Sequence, residues 1–391
     1  MPSELIVRIA ARGDGVTDTG RFIAGTAPGD RVQTDGSVLP GPHRVAPPCC
    51  HFGRCGGCQL QHVDDASYAQ FLIDRIALAL AEQRIDTPPI APVHLSPPRT
   101  RRRASLRAER RGNAVVLGFN EAQSHDIVDL RECHVLLPEL FALVAPLRGL
   151  LKNILPDRKR ATIALTRVDQ GIDLTITGPL TEDLEAAEAL NAFAGEHRLA
   201  RLSIDDGVGP QARWAPAEPT ATLSGVAVGM PEGAFLQATA DGEAALVAAV
   251  WGAVGDAASV ADLFAGLGTF ALSLERSVLA VEGARDAAAA LLATRRMKVM
   301  HRDLFRRPLT ADELAPFDAV VLDPPRAGAR EQIAHLARST VSRIAYVSCN
   351  PSTFARDART LIDGGYRLSR VAPIGQFRWS THVELAAAFA R

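Results

Sequence analysis

From about residue 237 to the carboxy-terminus, helical and strand-like segments alternate so regularly that few folds remain open to the chain. The pattern predicts a helix over 241–254 and strands over 259–264, 278–282, 317–322, 343–348 and about 383–390. Short apolar runs bounded by turn signals fit strands covered on both faces, so the order reads as a mostly parallel, doubly wound α/β sheet. Such sheets collect their ligands at the carboxyl ends of the strands. Three segments fall there: the Gly-rich strand-to-helix turn Asp262-Leu-Phe-Ala-Gly-Leu-Gly268, Leu322-Asp323-Pro324-Pro325-Arg326, and Val347-Ser-Cys-Asn-Pro351.

The turn has two readings. Gly266-Leu-Gly268-Thr-Phe-Ala271 fits G-x-G-x-x-A, the fingerprint of a nicotinamide enzyme, as well as it fits a methyl-donor loop. Either way the glycines let the backbone approach the ligand, and Glu282, ending the next strand, can accept hydrogen bonds from a ribose. The later strands favour the methyl donor. Asp303 can receive an adenine amine, while Asp323 and Cys349 face the reacting group; hydride transfer needs no thiol.

A thiolate at Cys349 can add to carbon 6 of a uracil ring. That addition turns carbon 5, otherwise too weak a nucleophile to take a methyl group, into an enolate carbon. The carbon 5 proton must then leave before the thiol is eliminated, which calls for a positioned carboxylate or imidazole. Glu384 is the candidate and His382 its competitor. The bland alternatives are an inert buried cysteine and a solvated strand-end charge.

Four of the other five cysteines form Cys49-x5-Cys55-x2-Cys58 with Cys133 far downstream. Thiolates so spaced on a glycine-rich loop can close around a metal centre. Disulfides are disfavoured in a cytoplasmic chain, and tetrahedral zinc stays open, because spacing alone does not choose the metal. Cys50 can replace its neighbour as a ligand, and His51 is an outside candidate.

At 391 residues the chain is too long for one typical core. Its 47% hydrophobic and 22% charged residues are those of a soluble globular protein. No basic segment followed by an apolar run opens it, and no apolar stretch is long enough to cross a bilayer, so a cytoplasmic location without membrane contact is expected. Short strands with turn signals suggest a β-module over 1–46. An α+β middle domain with the cysteine loop follows over 47–236, with a helix over 68–83 and strands over 114–119 and 171–177, and the α/β domain covers 237–391. The net charge of −1 conceals seven arginines within thirteen residues (Arg99, Arg101, Arg102, Arg103, Arg107, Arg110 and Arg111) that can hold phosphates or merely form a solvated face. Phe377 and Trp379 are candidates for stacking on nucleic acid, with core packing the alternative for at least one.

Together, Cys49-x5-Cys55-Gly-Gly-Cys58-Gln-Leu-Gln-His62, Cys133, Phe235-Leu-Gln237, the Gly-rich turn, Asp323-Pro-Pro-Arg326, Ser348-Cys349-Asn-Pro351 and His382-Val-Glu384 resemble the RNA uracil-5 methyltransferase family over most of the chain. The resemblance is strongest to the 23S ribosomal-RNA branch, more than to the tRNA branch. It implies a Rossmann-like class I methyltransferase domain, an iron-sulfur middle domain, and an amino-terminal TRAM module related to the OB-fold, here short for a five-stranded barrel. It makes Cys349 the nucleophile and Glu384 the proton acceptor. Gln237, Phe264, Thr269, Glu282, Asp303 and Asp323 become the S-adenosyl-L-methionine shell, with Gln237 and Asp323 also near the uracil. Cys49, Cys55, Cys58 and Cys133 become ligands of a [4Fe-4S] cluster, and a monomer acting on RNA is expected.

Four positions depart from the family pattern: Thr269 and Thr239 where asparagine is usual, Ala265 where cysteine is frequent, and Cys50 where proline is common. Rival readings are an amino-methyltransferase, although Arg326 stands where that class has an aromatic, a cytosine-5 enzyme, and a non-catalytic iron-sulfur RNA-binding protein. A uracil in a stacked helix hides carbons 5 and 6, so the substrate base must be turned out or presented from a loop.

Overall fold

The computed structural model describes residues 3–391, and the chain divides into two compact units that interleave along the sequence. The first takes residues up to Phe71, Pro97–Pro219 and Phe377–Thr381; the second takes Leu72–Ser96, Thr220–Gln376 and His382–Arg391.

The first unit opens with β1 (Glu4–Ile9), β2 (Gly15–Thr17), β3 (Phe22–Ile23), β4 (Arg31–Val32) and β5 (Val38–Leu39), a sheet ordered β3-β2-β1-β4-β5. They lie inside the segment read as a β-module. Buried Asp30 organises their loops, accepting the N–H groups of Ala27 at 2.7 Å and Gly41 at 2.8 Å and pairing with Arg44 at 2.5 Å. Helix α1 (Asp65–Glu82) runs across the division of the chain, and the short strand β6 (His94–Leu95) belongs to the second unit.

The first unit continues with β7 (Arg103–Arg111), β8 (Ala114–Gly118), α2 (Pro138–Ala142), α3 (Val144–Ile154), β9 (Arg160–Val168), β10 (Gly171–Thr177), α4 (Leu184–Glu196), β11 (Arg201–Asp205) and β12 (Gln211–Trp214). Its strands form a sheet ordered β12-β11-β10-β9-β7-β8. Strict alternation on β7 shows which face is covered: Ala104, Leu106 and Ala108 are buried, while Ser105 and Arg107 are exposed. The buried side joins Leu140, Leu147, Leu151 and Phe193 of the helices in one core.

In the second unit a hairpin of β13 (Thr220–Leu223) and β14 (Val226–Gly229) precedes α5 (Ala240–Val254), β15 (Ser259–Leu263), β16 (Ser277–Glu282), α6 (Arg285–Ala293), β17 (Lys298–His301), α7 (Ala311–Leu314), β18 (Ala319–Leu322), α8 (Arg330–Arg338), β19 (Arg343–Ser348), α9 (Pro351–Asp363), β20 (Arg367–Gly375) and β21 (Glu384–Ala390). The sheet runs β17-β16-β15-β18-β19-β21-β20-β6, with the first five strands parallel and β21 antiparallel to both neighbours. Strand β18 is buried throughout, as expected for a strand covered on both faces. Strand order reverses between β15 and β18, which opens a crevice at their carboxyl ends. Helix α5 starts at Thr239, whose hydroxyl accepts the Gly242 N–H at 3.0 Å, and stops at Gly255 with φ of 57°.

Candidate active site

The Gly-rich turn depends on its glycines sterically. Gly268 has φ of 90°, and a Cβ there would lie 2.6 Å from Leu291 Cδ1. Phe264, just after β15, also takes a left-handed conformation at φ 62°, which costs energy in a non-glycine residue and is typical of ligand-binding turns. Asp323 follows β18 directly, its N–H donating to the Leu263 carbonyl at 3.3 Å. Cys349 follows β19. The antiparallel register pairs Ser348 with Leu385, and one further step sets Cys349 opposite Glu384. The ends of β15, β18, β19 and β21 thus converge on one crevice.

Electrostatics agrees with that register. Burial pushes the Cys349 thiol up to about 11, the charges of Glu384 and Asp323 push the same way, and Arg326 opposes them. The thiol is half-buried, Glu384 is buried, and the competing His382 is exposed. Burial also pushes Asp323 up to about 7.

Asp262, quoted in the Gly-rich segment but given no role from sequence, is fully buried. One of its oxygens accepts the Ala271 N–H at 2.9 Å and the other has no partner. Burial raises it to about 8, with the charges of Asp323 and Glu282 adding. Three carboxyl groups therefore border the turn, and a ligand carrying positive charge relieves them. S-adenosylmethionine, with a sulfonium and an ammonium group, fits that field.

The remaining predicted donor residues are tied into the same region. Glu282 accepts the N–H groups of Gly266 at 2.7 Å and Ala284 at 2.6 Å, so it fixes the turn. Asp303 accepts from the backbone of Phe305 at 2.9 Å and Arg306 at 3.2 Å, and the half-exposed Phe305 packs on Phe264 with ring centroids 5.3 Å apart. Thr269 is half-buried in the turn. Gln237 is buried, with its Nε2 3.5 Å from Asp323 Oδ2, and its Oε1 accepts from Gln376 at 2.8 Å. Gln376 in turn accepts the Ala238 N–H at 3.0 Å. Nothing in the sequence marks Gln376, whose partner is 139 positions away.

Helix α9, which begins two residues after Cys349, grips the loop that carries Arg326. Asn350 Nδ2 and Thr353 Oγ1 both donate to the Arg326 carbonyl at 3.1 Å, and Arg356 donates to the Ala327 carbonyl at 3.1 Å. Buried Asp357 accepts the Ala329 N–H at 2.9 Å and the Tyr346 hydroxyl at 2.7 Å. Gly328 leaves room for this clasp: a Cβ there would sit 2.6 Å from Asp357 Oδ2. The Asp-Pro-Pro-Arg segment and the thiol-bearing turn are thereby one rigid piece.

The cysteine quartet lies in the first unit. Cys49, Cys55, Cys58 and Cys133 are all free thiols and half-buried. Burial pushes Cys58 up to about 12, and charge on Cys133, Cys55 and Cys49 adds to the shift. Burial likewise raises Cys49 to about 11, with Glu132, Cys133 and Cys50 adding. Arg101 stands against Cys133 and Cys58, and its guanidinium covers the Phe377 ring at 5.2 Å. Cys50 is exposed and hydrogen-bonded to Glu132, and His51 Nε2 accepts the Arg131 N–H at 2.9 Å, so both side chains are engaged elsewhere. Buried Gln61, inside the Cys-Gln-Leu-Gln motif, accepts the Cys49 N–H at 3.2 Å and bonds the Cys58 thiol. Among the described residues, no three or more His, Cys, Asp or Glu form a group that could hold a metal ion.

The family model for tRNA (Uracil-5-)-methyltransferase matches residues 297–391, the stretch that carries Asp323, Cys349 and Glu384. An RNA methyltransferase of Zymomonas mobilis subsp. mobilis is 51% identical over 99% of both chains. The 23S rRNA (uracil(1939)-C(5))-methyltransferase RlmD of Edwardsiella ictaluri is 34% identical over 94% of this chain and 90% of its own. The chain belongs to the RNA uracil-5 methyltransferase family. The activity this membership carries is S-adenosylmethionine-dependent methylation of RNA at uracil carbon 5, which removes the amino-methyltransferase, cytosine-5 and non-catalytic alternatives. The Pyrococcus abyssi tRNA (uracil-54, C5)-methyltransferase, solved with S-adenosyl-L-homocysteine, shares the fold at a TM-score of 0.76 and 20% identity, covering all of both chains. The second unit of this methyltransferase is accordingly a Rossmann-like methyltransferase domain, as expected.

Two expectations about RNA contact come out divided in the methyltransferase. Its arginine run is not one surface. Arg101 is turned in against the thiols, Arg110 donates to the carbonyls of Leu155 at 2.9 Å and Gly112 at 3.0 Å, and Arg111 pairs with Glu109 at 3.1 Å. Arg107 points out from the open face of the sheet. Trp379 is core: it is buried with φ of 60°, and its carbonyl accepts the N–H groups of Gln59 and Leu60. Phe377 is half-buried beneath Arg101. No helix of the described residues is long and apolar enough to cross a membrane.

Proposed function

We propose that this methyltransferase modifies a uridine of 23S rRNA through a covalent intermediate. Cys349 Sγ bonds carbon 6 of the uracil, and the ring electrons move to carbon 5 and oxygen 4. Bound S-adenosylmethionine supplies the methyl group that carbon 5 receives. Glu384 takes the carbon 5 proton, and the electron pair left behind expels the thiolate and restores the ring double bond. The observation that carries this reading is the shared setting of Cys349, Glu384 and Asp323 at the ends of adjacent strands. Gln237 and Asp323 orient the uracil edge. Gln237, Phe264, Thr269, Glu282, Asp303 and Asp323 line the donor site, and the acidic field around Asp262 supports a sulfonium there.

Ribosomal RNA is favoured as the substrate because the relative at 34% identity acts on 23S rRNA. The strands within 1–46 act as a short TRAM-like RNA-binding module ahead of a middle segment, 47–236, and the catalytic segment, 237–391. Mapping 5-methyluridine in a strain lacking the gene tests the substrate. Loss of one 23S rRNA site with tRNA unchanged is expected; loss from tRNA alone refutes the choice.

The same reading gives Cys49, Cys55, Cys58 and Cys133 to a [4Fe-4S] cluster. Charge on Cys133 raises the pKa values of Cys49, Cys55 and Cys58, yet among the described residues no three of these thiols form a group that could hold a single metal ion. A four-iron cluster takes one thiolate per iron and so needs a wider tetrahedron of sulfurs than a single zinc ion does. Arg101 would offset part of the cluster's negative charge. Anaerobic purification is expected to give brown protein with about four irons per chain; a colourless zinc-loaded product refutes the assignment.

A further inference from the structure

The open face of the six-stranded sheet holds a cationic cavity within the first unit. Strand register places Arg107 of β7, Thr162 of β9 and Thr177 of β10 side by side in one row. The alternating residues Leu106, Ala108, Ala161, Ile163 and Ile176 are buried in the core, so this row faces away from it. Arg160, two positions before Thr162 on the same face, and Asn120 and His125 from the loop after β8 complete the walls of a cavity of about 400 Å³.

Its chemistry has one sign. The lining offers two guanidinium groups, an imidazole, an amide and two hydroxyls, and no carboxylate. The neighbouring acid, Glu109, is engaged by Arg111 at 3.1 Å and Arg160 at 2.8 Å. Arg107 is bonded to the Thr162 hydroxyl and meets no carboxylate among the described residues. A protein with a net charge of −1 has no global attraction for a polyanion, so binding must come from local sites of this kind. The volume exceeds that of one phosphate and admits a nucleotide, with Ile127 as an apolar wall for a base or ribose.

We propose that this cavity seats a nucleotide of the RNA substrate by its phosphate, as a binding subsite in addition to the uridine-binding crevice. The proposal rests on the assignment of RNA as substrate. Arg107 supplies the charge, Arg160, already paired with Glu109, forms part of the wall, and Thr162, Thr177 and Asn120 supply directional hydrogen bonds.

The test is equilibrium binding of in-vitro-transcribed 23S rRNA, and separately of total tRNA, over a series of salt concentrations. Arg107→Gln removes the charge while keeping a donor for Thr162, and His125→Ala is a second variant whose truncation leaves the strands untouched. Arg107→Gln should weaken binding about five- to thirty-fold near 0.1 M salt and lower the slope of log K against log salt by about one. His125→Ala should weaken binding by about two- to five-fold. Unchanged affinity and slope for both RNAs in folded variants overturn the proposal. Binding is read without turnover, so an error in the covalent mechanism cannot produce that result, and an error in the choice of RNA appears as which RNA binds, not as an unchanged slope.

Discussion

Replacement of Cys349 by alanine is expected to lower methylation by about 10⁴-fold or more, the scale on which enzymes lose activity with their nucleophile. The expected cause is specific. Without the thiolate, carbon 5 of uracil never becomes electron-rich, so correct binding of RNA and methyl donor leaves the reaction uncatalysed. RNA carrying 5-fluorouridine separates this cause from a loss of folding. Fluorine cannot leave carbon 5 as a proton does, so the wild-type enzyme should remain bonded to such RNA through carbon 6, visible as a band stable to denaturing electrophoresis. Cys349→Ala should give no such band while binding the RNA normally. Equal trapping by both proteins refutes the nucleophile. The free enzyme is also expected to be a sluggish thiol. At about 11, Cys349 holds roughly three thiolates in ten thousand molecules at pH 7.5, so alkylation by iodoacetamide should rise about tenfold per pH unit between pH 7 and 10.

The parts of this site that could be read from the sequence were those whose chemistry is local. The strands ending at Leu322 and Ser348 announce themselves by the apolar runs Ala319–Leu322 and Ile344–Val347, and the strand ending at Leu263, broken by Asp262, by the Gly-rich turn that follows it. Strand β20, Arg367–Gly375, carries no such local signal. It carries charges at Arg367 and Arg370 and a proline at 373, and it is held by β21 through pairing that no local pattern encodes. The supporting groups were missed for the same reason. Gln376 acts on Gln237, and Asp357 on Ala329, across separations that only the fold closes. Asp262 stood inside a recognised motif, yet its role depends on complete burial, which a single sequence does not report. The arginine run shows the converse limit of a local pattern. Its clustering is local, but strand parity and an inward turn at Arg101 send its members to different environments.

Glu384→Gln is expected to move two measurements in opposite directions, and this makes it the more demanding test of the crevice. The substitution keeps the size of a buried side chain opposite Cys349 while removing a charge that helps to hold the thiol protonated. The thiol pKa should therefore fall, and alkylation of the free enzyme at pH 8 should become faster than in the wild type. Turnover should nevertheless drop by about 10²- to 10⁴-fold, the contribution of a positioned general base. The step lost comes after methyl transfer, so the methylated uracil should stay bonded to Cys349, and ordinary uridine RNA should now give the stable band that otherwise requires 5-fluorouridine. Faster alkylation with unimpaired turnover would show that the carboxylate only shapes the field around the thiol. In that case His382, exposed two residues earlier, becomes the proton acceptor, and His382→Ala should accumulate the methylated adduct in its place.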